Sequence, residues 1–166
     1  MRASLIAAMT MALLAAACTR QTEKASSSPT SPTVTNSLSP ETTPSVQPVT
    51  DYSSFTSALE ADGFTVREGK PAGGDFFAVP GQTVFIDDVL VSAYEYPDPR
   101  TLGDVRSSIG RDGYSVPTRT GGIAVVEWVA TPHFYGAGRL LVLYVGDERR
   151  TLEALDSVLG PQFAGG

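Results

Sequence analysis

Between residues 19 and 50 the chain offers almost nothing from which a hydrophobic core can be built, and this confines any fold to the residues after the stretch. It is dominated by Ser, Thr and Pro, with Pro29, Pro32, Pro40, Pro44 and Pro48 spaced through it and no aromatic residue. Such a segment cannot bury enough apolar surface to offset the entropy of ordering it. Its prolines favour extended conformations of ~3.1 Å per residue, so it reaches on the order of 100 Å at full stretch. The expectation is a disordered tether over residues 18–50. A docking site or O-glycosylation is the alternative use of such a composition.

Ahead of the tether, Arg2 is followed by an almost wholly apolar run from Ala3 to Ala17, broken by Ser4 and Thr10. At about 15 residues the run is shorter than the ~20 a helix needs to span a bilayer, and small residues close it, so residues 1–17 read as a cleaved targeting segment. The next residue, Cys18, is the only cysteine. Ala16 and Ala17 supply the small residues a lipoprotein signal needs before the cut, while Ala15 stands where Leu is usual, with Leu14 one place further out. The reading is a lipoprotein whose Cys18 carries acyl chains, since two or more chains anchor stably where one does not. The alternative is an ordinary secretory signal cut after Ala15 or Ala17, which would leave a free thiol. The expected location is extracytoplasmic, lipid-anchored on the cell membrane or outer membrane. With Cys18 acylated, no disulfide is available and the domain depends on core burial alone.

Residues 51–166 read as one domain, long enough for a single core. The chain carries a formal charge of −6, its acidic residues are scattered, and Lys70 is the only lysine in this part. A nucleic-acid partner is excluded because the phosphate term needs a basic surface.

The pattern predicts a helix over residues 53–62 stopped by Gly63, a strand over 64–68, a Gly/Pro loop over 68–74 and a short apolar strand over 76–79. Strands over 82–87 and 89–96 come next, joined by a tight turn at Asp87-Asp88. Asp98 then caps a helix with Pro99 at its first position, where the missing N–H costs nothing; Leu102, Val105 and Ile109 form its apolar stripe. Residues 123–130 and 139–145 read as strands, with 131–138 a longer hairpin loop. Asp147 is expected to cap a last helix with Leu152, Leu155, Val158 and Leu159 inward. The fold class is therefore α+β: an antiparallel sheet of about five to six strands with about three helices packed on one face.

The run Trp128-Val129-Ala130-Thr131-Pro132-His133-Phe134-Tyr135, the adjoining Gly138-Arg139-Leu140-Leu141-Val142-Leu143-Tyr144-Val145-Gly146, the stretch Phe77-Ala78-Val79-Pro80-Gly81 and the ending Val158-Leu159-Gly160-Pro161-Gln162-Phe163-Ala164-Gly165 carry a resemblance. The chain resembles a group of short, uncharacterised bacterial lipoproteins with the same signal-plus-stalk layout. The resemblance implies an envelope location and assigns no catalytic residue.

His133 is the only histidine. It is a candidate general acid or base, with Glu127 close in sequence, or a hairpin residue packing on Phe134. A nucleophile elbow Gly-x-Ser-x-Gly is absent. One His and an acylated Cys fall short of a zinc ligand set. Asp87-Asp88 supplies too few oxygens for calcium and reads as a polar turn. Gly136-Ala137-Gly138 leads into a strand, so it offers no helix N-terminus to phosphate. Glu95 would need a second carboxylate facing it to act on a glycoside. No metal or cofactor is expected. Trp128 and Tyr144 are expected in the core. His133, Phe134 and Tyr135, placed in the loop, form the candidate contact patch, with a place for Phe134 and Tyr135 in the core as the alternative.

The expected function is that of a membrane-anchored, non-enzymatic binding or envelope-interaction module, its partners being the membrane through Cys18 and an envelope protein or small ligand. The alternative is a small extracytoplasmic hydrolase using His133 with a nearby carboxylate.

Overall fold

The computed structural model describes residues 47–166. The expected signal segment, Cys18 and the tether as far as residue 46 lie outside the described residues.

The first helix, α1 (Tyr52–Ala61), is set by its ends. Asp51 accepts from the Ser54 N–H at 2.9 Å, and the Ser54 hydroxyl accepts from the Asp51 N–H at 3.0 Å, a reciprocal capping box. At the other end the N–H groups of Gly63 and Phe64 donate to Glu60 and Leu59, both at 3.0 Å, and Gly63 takes the positive φ this stop requires.

The chain continues as β1 (Val66–Ala72), β2 (Gly81–Ile86), β3 (Val89–Glu95), α2 (Pro99–Ser108), β4 (Ser115–Pro117), β5 (Ile123–Val125), β6 (Pro132–Ala137), β7 (Leu140–Val145), α3 (Arg149–Leu159) and β8 (Ala164–Gly165). Six strands form one sheet in the order β1-β2-β3-β7-β6-β8, every neighbouring pair antiparallel, and β4 and β5 form a small separate sheet. The α+β class and the antiparallel sheet expected from sequence are both present.

Several expected details differ, each for a physical reason. Residues 131–138 are mostly strand: β6 pairs with β7 from Pro132↔Val145 to Ala137↔Leu140, leaving only Gly138 and Arg139 as the turn. Gly138 has φ +55°, and a Cβ there would collide with the backbone of Thr50. Residues 64–74 hold one longer strand with a bulge, since the register with β2 shifts between Glu68 and Pro71 and the Gln82 amide caps the Gly69 carbonyl at 3.0 Å. The expected strand at 76–79 is a single bridge, Phe76↔Thr118, beside a buried Phe77 with φ +61°. The expected strand at 123–130 stops at Val125. The cap of α3 is Glu148, not Asp147.

The helices do not share one face. Helices α1 and α3 pack with Val84, Ile86, Val91, Ala93, Tyr135, Leu140, Val142 and Tyr144. Helix α2 lies on the opposite side, where Leu102 and Ile109 pack with Tyr94, Phe134, Leu141 and Leu143, together with Phe77 and with Val116 of β4. A strand covered on both faces reads as a continuous apolar run, and β7, Leu-Leu-Val-Leu-Tyr-Val, is such a strand.

The packed domain also starts earlier than residue 51. Val49 is buried in the α1/α3 core, and the Thr50 carbonyl accepts from the Arg139 N–H at 2.9 Å. Glu95 reinforces this corner by pairing with the Arg139 guanidinium and accepting from the Tyr52 N–H at 3.2 Å.

Candidate functional site

His133 lies on β6, only 6 % exposed, with its ring stacked on Tyr144 at 6.0 Å between centroids. Its Nδ1 is 2.6 Å from Oε1 of Gln162, whose amide Nε2 donates to the Gly165 carbonyl at 3.2 Å. The second bond orients the Gln162 amide, so Nδ1 is the donor and carries the proton. Nε2 is buried and has no hydrogen-bond partner among the described residues. The side-chain partner of this histidine is thus an amide and not a carboxylate, and the ring is closed off from solvent.

Phe134 and Tyr135 are buried as well. Phe134 faces the α2 layer, with Phe77, Trp128 and Phe163 rings at 6.3–6.4 Å. Tyr135 faces the α1/α3 layer, where burial, and then the charge of Asp156, pushes its phenol up from the ordinary range. The contact patch expected at His133, Phe134 and Tyr135 is therefore corrected: alternate residues of a strand turn to opposite faces, and both faces of this one are covered. Tyr144 is in the core as expected, while Trp128 is half-buried and its indole N–H donates to the Gly113 carbonyl at 2.9 Å.

The remaining carboxylates named in the sequence are tied into local structure. Asp87 and Asp88 take positive φ values of 46° and 72° in the β2–β3 turn, where Asp87 accepts from the Thr65 N–H at 2.9 Å and Asp88 pairs with Arg67 at 2.9 Å. Among the described residues no three His, Cys, Asp or Glu side chains cluster as a metal site. A cleft of about 290 Å³ opens between Phe64, Ile86, Val89 and Thr151, rimmed by Asp87, Glu148 and Arg150. Its charges satisfy one another. Arg150 pairs with Asp87 at 3.0 Å and lies over the Phe64 ring. The Glu148 carboxylate takes the Thr151 and Arg150 N–H groups at 2.6 and 3.1 Å, and it is held below the usual carboxylate range first by the Thr151 hydroxyl and then by the Thr151 N–H.

What is left unsatisfied lies on the β4–β5 ribbon and the segment after it. Val116 turns inward and is fully buried, but Ile123 is 57 %, Val125 80 % and Val129 99 % exposed, with Tyr114 at 43 %. Four large apolar side chains thus face water within sixteen residues of chain.

The backbone of β5 is open too. Antiparallel pairs alternate between residues that exchange hydrogen bonds and residues that do not. Here Val126 N–H donates to Tyr114 at 2.9 Å and Thr118 N–H to Gly122 at 3.1 Å, so the even-numbered residues bond across the ribbon. The odd-numbered ones turn outward. On the β4 side these outward groups are used, the Ser115 and Pro117 carbonyls accepting from Gly110 and Phe77 at 2.8 and 3.0 Å. On the β5 side Ile123 and Val125 face outward with no strand beside them among the described residues. No sequence signal pointed to this, because the direction of each N–H depends on pairing with a three-residue strand, Ser-Val-Pro, too short to carry a strand pattern.

Comparison with known proteins gives no matching family, no matching curated protein and no matching solved structure.

Proposed function

We propose that this chain is a lipid-anchored extracytoplasmic binding module, held to a membrane through acyl chains on Cys18 and contacting a protein of the envelope through the β4–β5 ribbon. The observation that carries the reading is the exposed apolar group Ile123, Val125, Val129 and Tyr114, gathered in one stretch of a domain whose other large apolar side chains, Leu90 apart, are covered. Large apolar side chains left exposed close together in the chain are a feature of contact sites. The acidic balance of the chain argues against nucleic acid, and the apolar run ending at Cys18 supports the anchor.

The test is to make Val125→Asp and Val129→Asp together in the full-length chain and recover cross-linked partners from intact cells. The reading expects an unchanged fold, by circular dichroism and melting, with capture reduced at least tenfold, since truncated anchors dominate interface energy. Equal capture by the variant contradicts it. Cys18→Ala is expected to release the protein from the membrane fraction.

A further inference from the structure

We propose that the ribbon takes its partner by strand addition: an extended, neutral or basic polypeptide segment pairs with the outer edge of β5 and becomes the third strand of the β4–β5 sheet. The inference rests on the binding-module reading and specifies how that surface is used.

Three observations converge on it. Ile123 and Val125 present outward N–H and C=O groups with no strand beside them among the described residues, while the corresponding outward carbonyls of β4 are already bonded within the domain. The flanking side chains are β-branched and exposed, so an added strand finds apolar neighbours at alternate positions. The edge also lacks protection. The β1 edge of the main sheet carries Arg67, Lys70, Pro71 and a bulge, the usual devices against unwanted pairing, whereas Ile123-Ala124-Val125 carries no charge, proline or bulge. The contrast within one molecule marks β5 as the edge left available.

Charge selects the occupant. Residues 51–166 hold sixteen acidic and nine basic side chains; next to the ribbon Asp112 and Glu127 are exposed, as are Arg111 and Arg119, the last paired with Asp75. A second copy would bring the same acidic surface to the contact, and a three-residue strand is small beside the ~1,200 Å² that stable interfaces bury. A neutral or basic extended segment meets no such repulsion, and main-chain hydrogen bonds supply its affinity.

The test uses the full-length chain in detergent micelles and a fluorescein-labelled peptide of alternating Val and Lys, read by anisotropy, beside the same peptide with every amide N-methylated. Val125→Pro removes the outward N–H without touching the bonds to β4, because proline is tolerated on an edge. The expected result is saturable binding of the unmodified peptide, at least tenfold weaker binding of the methylated one, and at least tenfold loss in Val125→Pro but not in Val125→Thr. No saturable binding, or equal binding of the two peptides, overturns strand addition. Loss in the double variant Val125→Asp/Val129→Asp with full binding in Val125→Pro also overturns it, while leaving the apolar contact surface in place. A concentration-dependent dimer that Val125→Pro dissolves overturns it in favour of a second copy.

Discussion

The N–H of Val126 donates to the carbonyl of Tyr114 at 2.9 Å, and that bond fixes which residues of the ribbon face inward and which face out. Its consequence can be read amide by amide. The N–H groups of Ala124 and Val126 are held across the ribbon, and those of Ile123 and Val125 are not. Hydrogen exchange followed by NMR is expected to show Ile123 and Val125 exchanging at least about tenfold faster than their two neighbours, since free amides exchange without an opening step. Equal protection along residues 123–126 would mean that the edge is covered.

The start of the domain makes a second prediction. Val49 is 7 % exposed within the core, and Thr50 accepts the Arg139 N–H. Burying a Val contributes about 1.5–3 kcal/mol and a hydrogen bond about 1 kcal/mol. A chain beginning at residue 51 should therefore be less stable by about 2–4 kcal/mol than one beginning at residue 47. Urea titrations of the two decide this, and matching midpoints would show that these residues add nothing.

Core and ribbon should separate cleanly by stability. Phe134→Ala, at a position fully buried, is expected to cost about 3–5 kcal/mol, with Tyr135→Ala comparable. Val129→Ala, at 99 % exposure, should stay within about 0.5 kcal/mol of the parent. A stable Phe134→Ala protein would return that side chain to the surface patch expected from sequence.

Those contrasts show what the sequence made legible. Asp98-Pro99 announced α2, Asp98 accepting from Arg100 and Thr101 N–H groups at 2.9 Å, and Asp87-Asp88 announced the β2–β3 turn. Both are local signals, carried by residues that touch their own neighbours in sequence. Strand β6 carried no such signal. His133 and Tyr135 are covered by one layer and Phe134 by the other, so the strand lacks alternation, and Pro132 and Gly136 read as breakers although Pro132 merely opens the strand. The same long-range pairing decides that α2 lies across the sheet from α1 and α3. The site was illegible for this reason too: Phe134 looked free and Val125 looked like strand interior, and only the partners of each reverse the two.

Alkali should destabilise the fold in a defined window. Burial first, and the charge of Glu68 second, pushes the Tyr52 phenol up to about 12 from an ordinary 10. Burial shifts Tyr94, Tyr96 and Tyr135 in the same direction. A raised folded value means that the folded state holds its proton longer than the unfolded chain does. The associated stability is complete below pH about 10 and is lost as pH rises toward about 12. Melting temperature followed across that range in a Tyr114→Phe variant, which removes the exposed phenol, with phenolate absorbance in parallel, should show phenolate appearing with unfolding and not before it. Full phenolate formation at pH about 10 in a folded protein would contradict the burial of these side chains.

That the ribbon is the contact surface is tested by site-specific photo-cross-linking in intact cells. A photoreactive amino acid is placed at position 125 or 129, or at position 104 on the exposed side of α2, in the full-length chain. A discrete cross-linked polypeptide is expected from 125 and 129 and none from 104. No adduct from the ribbon, or the same adduct from all three positions, would contradict it.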